Sequence, residues 1–262
     1  MNRRDLIAGA LLTALVLVVH RAVLHQFWLW DDPQILFGVI RYRLIDFFVS
    51  PRIWQLQSST NFVPALLTAY KLDFRSAGLD PHTFYVHHLV MFTVAILAVY
   101  AYARTFASEI TAAIAAAAVA LSPPSYRVAG LLMNRHYAAG LVFALASLIA
   151  FRFSRPFLGS FLYMIAALEK EVFVPLPLIV LVQDVVAKRP WRVVLRNLIA
   201  TGTTSLIYLA WRIVMLRSFG GYDRGRNPGE IAQLPQQVWE RLTGFGSPAA
   251  LLAILFVAAV LL

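Results

Sequence analysis

The sequence predicts an all-α, polytopic transmembrane helical bundle, and three observations carry that prediction. Hydrophobic residues make up 60% of 262 positions and Asp, Glu, Lys and Arg only 14%, against a charged share of about 25% in ordinary soluble domains. Mean hydropathy is +0.70. The apolar residues are gathered into long runs, and Lys and Arg concentrate between alternate runs, as loop charges do on the cytoplasmic side of a membrane.

The first run covers residues 6–24, follows Arg3 and Arg4, and gives way to HQFWLWDD without the small-x-small pattern of a cleaved leader. It is predicted as a retained first span with its N-terminus in the cytoplasm. Residues 83–103 return inward to Arg104, and the alanine-rich run 110–121 leads out to Ser122-Pro123-Pro124. Residues 137–151 come back to Arg152 and Arg155, and 157–168 lead out to Glu169-Lys170-Glu171. Residues 172–186 return to Lys188, Arg189, Arg192 and Arg196. Residues 198–215 go out, and 248–262 would come back. The count is about seven or eight spans, since each needs about 20 mostly apolar residues to satisfy its own backbone in hydrocarbon.

Two outer segments are long, 25–82 and 216–247. Within the first, residues 40–56 (IRYRLIDFFVSPRIWQL) read as an amphipathic helix lying at the interface. Residues 1–262 form a single transmembrane domain by this reading. The chain stops within an apolar run, so it is expected either to be a small member of its class or to lack a C-terminal part.

The net charge of +10 is accounted for by these inner loops, and no nucleic-acid partner is expected. The absence of cysteine excludes a disulfide framework and thiolate metal sites.

Charged residues near membrane depth are costly and mark functional sites by default. Asp31 and Asp32, in WLWDDPQIL, follow the first span, where negative charge opposes the helix dipole. Lys170 stands between two acids in a tight apolar hairpin, and Arg135 with His136 opens the fourth span. His87 and His88 do not chelate together, because neighbours on a helix point about 100° apart; packing is the simpler account of them.

Taken in order, the acidic pair, NFVPALL at 61–67, LDPHTFYVHHLV at 79–90, SPPSYRVAGLLMNRHYAAG at 122–140 and ALEKEVFVPLPLIVLVQD at 167–184 resemble the GT-C superfamily of polytopic glycosyltransferases. The likeness is to the protein O-mannosyltransferase and tetratricopeptide-linked mannosyltransferase branch, and it covers residues 28–184. The resemblance implies an inverting transfer of a sugar from a polyprenyl-phosphate donor to a hydroxyl of a protein, lipid or glycan acceptor on the outer face. It implies that Asp31 or Asp32 is the base, with a lean to Asp31, that Arg135 and Lys170 hold the donor phosphate, and that His136, Glu171 and His88 support them. No cofactor is implied, and a divalent metal is left open. This chain has MNRHY where relatives carry an acid. The composition suits a bacterial inner membrane, with the site on the periplasmic side. The alternative is a non-catalytic polytopic protein, a lipid-carrier transporter or assembly subunit, that keeps the fold.

Overall fold

Helix signals recur along the chain, and the backbone follows them. The computed structural model describes residues 2–58 and 60–217, all within one compact unit, Met1–Gly220; a second unit, Gly221–Leu262, lies outside the described residues. With it lie the predicted last span and nearly all of the loop 216–247.

The described residues are helical, with no strand among them. In order they form α1 (Arg3–His20, extended by a 3-10 turn Arg21–His25), α2 (Asp32–Arg41), α3 (Asp46–Val49), α4 (Pro51–Gln57), α5 (Pro64–Ala77), α6 (Pro81–Ala103), α7 (Glu109–Ala120), α8 (Pro123–Gly130), α9 (Arg135–Arg152), α10 (Pro156–Glu169), α11 (Leu176–Val186) and α12 (Trp191–Leu216). Prolines open α4, α5, α6, α8 and α10 in the first turn, where the missing N–H has no intrahelical partner to lose. Asp80 caps α6 by accepting from the His82 and Thr83 amides, and Ser108 caps α7 through Thr111.

Among the described residues four segments are long and apolar enough to cross a membrane: Arg3–His25, Pro81–Ala103, Leu132–Arg152 and Trp191–Leu216. The other three predicted crossings correspond to α7, α10 and α11, of 12, 14 and 11 residues. At 1.5 Å per residue each is about 16–21 Å long, short of a hydrocarbon core about 30 Å thick.

The predicted single interfacial helix over 40–56 is instead the end of α2, then α3 and α4. Asp46 takes a hydrogen bond from the Arg43 amide at 2.9 Å, which fastens a turn there, and Pro51 starts a new helix after extended Ser50. Apolar residues of this stretch face both ways: Phe47, Ile53 and Trp54 are buried while Ile45, Val49 and Leu56 are exposed.

Polar contacts fix the helix directions. The Asp5 carboxylate at the start of α1 accepts from Tyr100 and Arg104 at the end of α6, at 2.6 and 2.8 Å. Arg4 pairs with Glu109 at the start of α7 at 2.8 Å. Arg152, closing α9, donates to the Thr105 carbonyl at 2.6 Å. At the far end of α1, His20 meets the Ala120 carbonyl at 3.1 Å. One end of the bundle therefore collects Arg4, Arg104 and Arg152. The other gathers α2 to α5 and the starts of α6 and α9.

Small residues permit close packing. Ala112, Ala116 and Ala120 recur at i, i+4 and i+8 and are buried, the spacing that lets helices approach when lipid supplies no hydrophobic drive. Between α9 and α10 the approach needs glycine: a Cβ on Gly159 would stand 2.6 Å from the Phe151 ring.

Candidate functional site

The acidic pair sits differently from the sequence expectation. The first span is over by His25, and Asp31 is the N-cap of α2, with Asp32 its first helical residue. The pair therefore lies at the positive end of a helix dipole, where carboxylates are stabilised, and the electrostatic objection to a purely structural role falls away. Trp30 just before it holds a left-handed backbone, φ 51°, a conformation that costs a non-glycine residue energy and persists only when its surroundings impose it.

Those surroundings are the contacts of Asp32. Its side chain is wholly buried, with Oδ2 accepting from the Leu29 amide at 2.9 Å and Oδ1 from the Tyr70 hydroxyl at 2.7 Å. The Met133 backbone lies beside it as well. Burial pushes the Asp32 carboxyl above the usual carboxylate range, against these hydrogen bonds, which hold it down. Asp31 is exposed and makes no capping hydrogen bond. Of the two, Asp31 is the carboxylate open to a substrate and Asp32 is the anchor of the turn.

Arg135 is buried at the start of α9, and Asp73 of α5 forms an ion pair with it. The same carboxylate takes His87 Nδ1 at 2.6 Å. The charge expected to face a phosphate is thus engaged by a carboxylate 62 residues away in sequence. The signal for Asp73 was present but unread: an acid three residues after Tyr70 on the same helix, so that both lie on one face.

Lys170 stands after α10, its Nζ 3.2 Å from Asn61 Oδ1, 3.6 Å from Glu171 Oε1 and 6.0 Å from the centre of the Tyr137 ring. Glu171 also faces Arg212 of α12 at 3.6 Å. Sequence reasoning passed over Arg212 because it lies inside a predicted span, although an arginine in such a place is itself a signal. Glu169 is buried within electrostatic reach of Arg135.

Of the supporting residues, His88 is a packed histidine, its Nε2 on the Val128 carbonyl at 2.8 Å. His136 is buried between Lys170 and His88, beside the Met133 backbone, but neither ring nitrogen makes a hydrogen bond of good geometry. Glu171 stands between two cations.

Asp32 meets Tyr70, and Asp73 one turn further along α5 pairs with Arg135; Glu169 lies within electrostatic reach of Arg135, and the residues that follow it, Lys170 and Glu171, meet each other and Arg212. The arrangement sets an open carboxylate and several cations at one end of the bundle. Among the described residues no three His, Asp or Glu side chains converge as a metal ligand set would.

Among the described residues, fold and site together define an all-helical protein with four helices long and apolar enough to cross a membrane. Comparison with protein families, with curated proteins and with solved structures returned no match to any of the three.

Proposed function

We propose that this chain is a membrane glycosyltransferase of the GT-C type, which moves a sugar from a polyprenyl-phosphate donor to an acceptor hydroxyl. The observation that supports this reading is that exposed Asp31 adjoins Asp32, which α5 links through Tyr70 and Asp73 to Arg135 at the start of α9, where Lys170 stands by Tyr137 and shares Glu171 with Arg212. A lipid-linked sugar is held at the membrane surface by its own tail, so the groups that act on it belong at that depth.

In the proposed reaction the Asp31 carboxylate takes the proton of the acceptor hydroxyl. The hydroxyl oxygen attacks the anomeric carbon from the side opposite the phosphate, the bond from that carbon to the phosphate oxygen breaks, and configuration inverts. Charge grows on the departing phosphate, and cations already in place stabilise it without reorganising. Lys170 serves that purpose, while Arg135, paired with Asp73, fixes the start of α9. Phosphate on a lipid leaves readily, so no separate acid is needed. The acceptor is a protein, lipid or glycan hydroxyl.

The same reading takes α7, α10 and α11 as short crossings completed by their flanking loops, for seven spans to residue 217. It sets the cation-rich end in the cytoplasm and the site on the periplasmic face of a bacterial inner membrane. A non-catalytic reading, as a carrier-lipid transporter or assembly subunit, has one observation in its favour: Asp32 and Arg135 are both fully engaged in internal contacts.

Sugar transfer from a polyprenyl-phosphate donor in nanodiscs separates the two. Loss of a general base costs about 10²–10⁴-fold in rate. Asp31→Asn should lose turnover to that extent while still binding donor, and equal rates in Asp31→Asn and the parent would rule out Asp31 as the base. Absence of transfer by the parent with several donors would favour the non-catalytic protein.

A further inference from the structure

The acidic turn breaks a local rule of chain geometry. The Leu29 carbonyl accepts from the Asp32 amide at 3.0 Å, closing a turn whose central residues are Trp30, φ 51°, and Asp31, φ −81° and ψ −7°. A positive φ followed by a negative one is the sign pattern of a type II′ turn, whose first central position normally belongs to glycine. A Cβ costs energy there, most of all on a bulky residue. The chain nonetheless puts a tryptophan at that position.

Packing does not account for the choice. Trp28, two residues earlier, meets Phe84 edge to face with ring centres 4.9 Å apart. Trp30 is 80% exposed, so the strained residue returns almost nothing to the core. Asp32 owes its place to the Leu29 amide and Tyr70 rather than to the indole. Strain held without a packing gain is characteristic of a residue kept for a ligand.

Two exposed polar groups accompany the indole. Asp31 follows it directly and makes no capping hydrogen bond. Gln34, one turn further in α2, is fastened to α4 by a double bridge: its Nε2 donates to the Gln57 carbonyl at 2.6 Å, and Gln57 Nε2 donates to the Gln34 carbonyl at 3.1 Å. Gly38 leaves room for that bridge, since a Cβ there would strike the Gln57 carboxamide. An open aromatic face with a carboxylate and a fixed carboxamide nearby complements a pyranose ring. The ring's C–H face is electron-poor and suits the negative face of an indole, while the hydroxyls around its rim donate to a carboxylate and exchange hydrogen bonds with a carboxamide. A seryl or threonyl hydroxyl brings no such face.

We propose that the turn 29–32 is a carbohydrate-binding platform, on which a pyranose of a glycan acceptor stacks on Trp30 and offers one hydroxyl to Asp31 and another to Gln34. This deepens the function above by naming the acceptor as a glycan; it rests on that reading for the reaction, while the binding itself needs no turnover.

The test titrates the whole chain in nanodiscs with mannotetraose, cellotetraose and chitotetraose, and with an unglycosylated peptide rich in serine and threonine, by ligand-observed NMR. At least one saccharide should bind, and Trp30→Gly should weaken it about threefold to tenfold, the scale of one aromatic contact. Glycine suits the positive φ, so this variant should fold as well as the parent. Trp30→Tyr keeps a ring and should retain most of the binding, and Trp191→Tyr, exposed at the start of α12, should change nothing. Absence of saccharide binding, equal binding by Trp30→Gly and the parent, or binding of the peptide that depends on Trp30 would each overturn the proposal. Nanodiscs with brominated acyl chains separate the platform from a membrane anchor: the fluorescence of Trp30, read as the parent minus Trp30→Tyr, should escape quenching, and strong quenching would overturn the proposal too. Saccharide binding that depends on Trp30 in a chain that transfers no sugar would uphold this site and defeat the transferase reading alone. Sugar transfer to the peptide at a rate indifferent to Trp30→Gly would do the reverse.

Discussion

The Tyr70 hydroxyl donates to the buried Asp32 carboxylate at 2.7 Å, and one turn further along the same helix Asp73 grips Arg135. Helix α5 is therefore a bar with two hands, one on the acidic turn and one on the start of α9. It sets the spacing between the carboxylate pair and the cations without supplying a reacting group itself.

Tyr70→Phe removes the hydroxyl donor to the buried Asp32 carboxylate. The expected cost is about 1–3 kcal/mol, read as a lowered unfolding midpoint in detergent. Asp31→Asn, at an exposed position, should stay within about 0.5 kcal/mol of the parent. Equal losses for the two would mean that the division between anchor and open carboxylate is wrong.

The Asp73 and Arg135 pair is buried, so breaking it from one side strands a charge. Asp73→Asn should cost about 3–5 kcal/mol, and replacing both partners by apolar residues should cost less than the single change. A double-mutant cycle on thermal stability measures this. Additive losses would show that the two side chains do not depend on one another.

Asp32 also predicts a pH dependence. Its folded pKa is raised above the ordinary 3.8, chiefly by burial, so the folded state binds its proton more tightly than the unfolded chain does. Its contribution is fully present below the unfolded value and is lost as pH rises through the raised one. The parent should therefore lose more stability than Asp32→Asn as pH rises above about 4. Parallel unfolding profiles for the two proteins would contradict the raised value.

Gly140 lies where a Cβ would meet the Phe173 ring at 2.1 Å. Gly140→Ala should force that ring out at a cost of about 1–3 kcal/mol. Because Phe173 follows Glu171 by two residues, the change should also weaken donor capture while Gly202→Ala, with open space around it, should do neither. The two variants are compared by unfolding midpoint and by labelling with a photoactivatable polyprenyl phosphate.

A chain without cysteine suits single-cysteine labelling. Asp46→Cys and Arg192→Cys should react with a membrane-impermeant maleimide from opposite sides of oriented vesicles. Reaction of both from one side would overturn the proposed orientation.

What the sequence by itself determined was the local part. The run 83–103 became α6, Pro81–Ala103, and 137–151 became α9, Arg135–Arg152, because hydropathy, proline and caps act on neighbours in the chain. The run 198–215 became the longer α12, Trp191–Leu216, since the basic stretch WRVVLRN is helical without being apolar. The break-up of 40–56 into short helices was missed for a related reason: Asp46 and Pro51 act through turn geometry that an apolar-face pattern does not record. The end of the bundle that holds the acidic pair was legible from loop charges. Which acid is open was not, because Asp32 is buried by Tyr70, 38 residues away. Nor was the partner of Arg135, or the arrival of Arg212 beside Glu171. Those are pairings between helices distant in sequence, fixed only when packing brings two buried charges within reach, since a charge left alone in a low-dielectric interior costs more than almost any fold can offset.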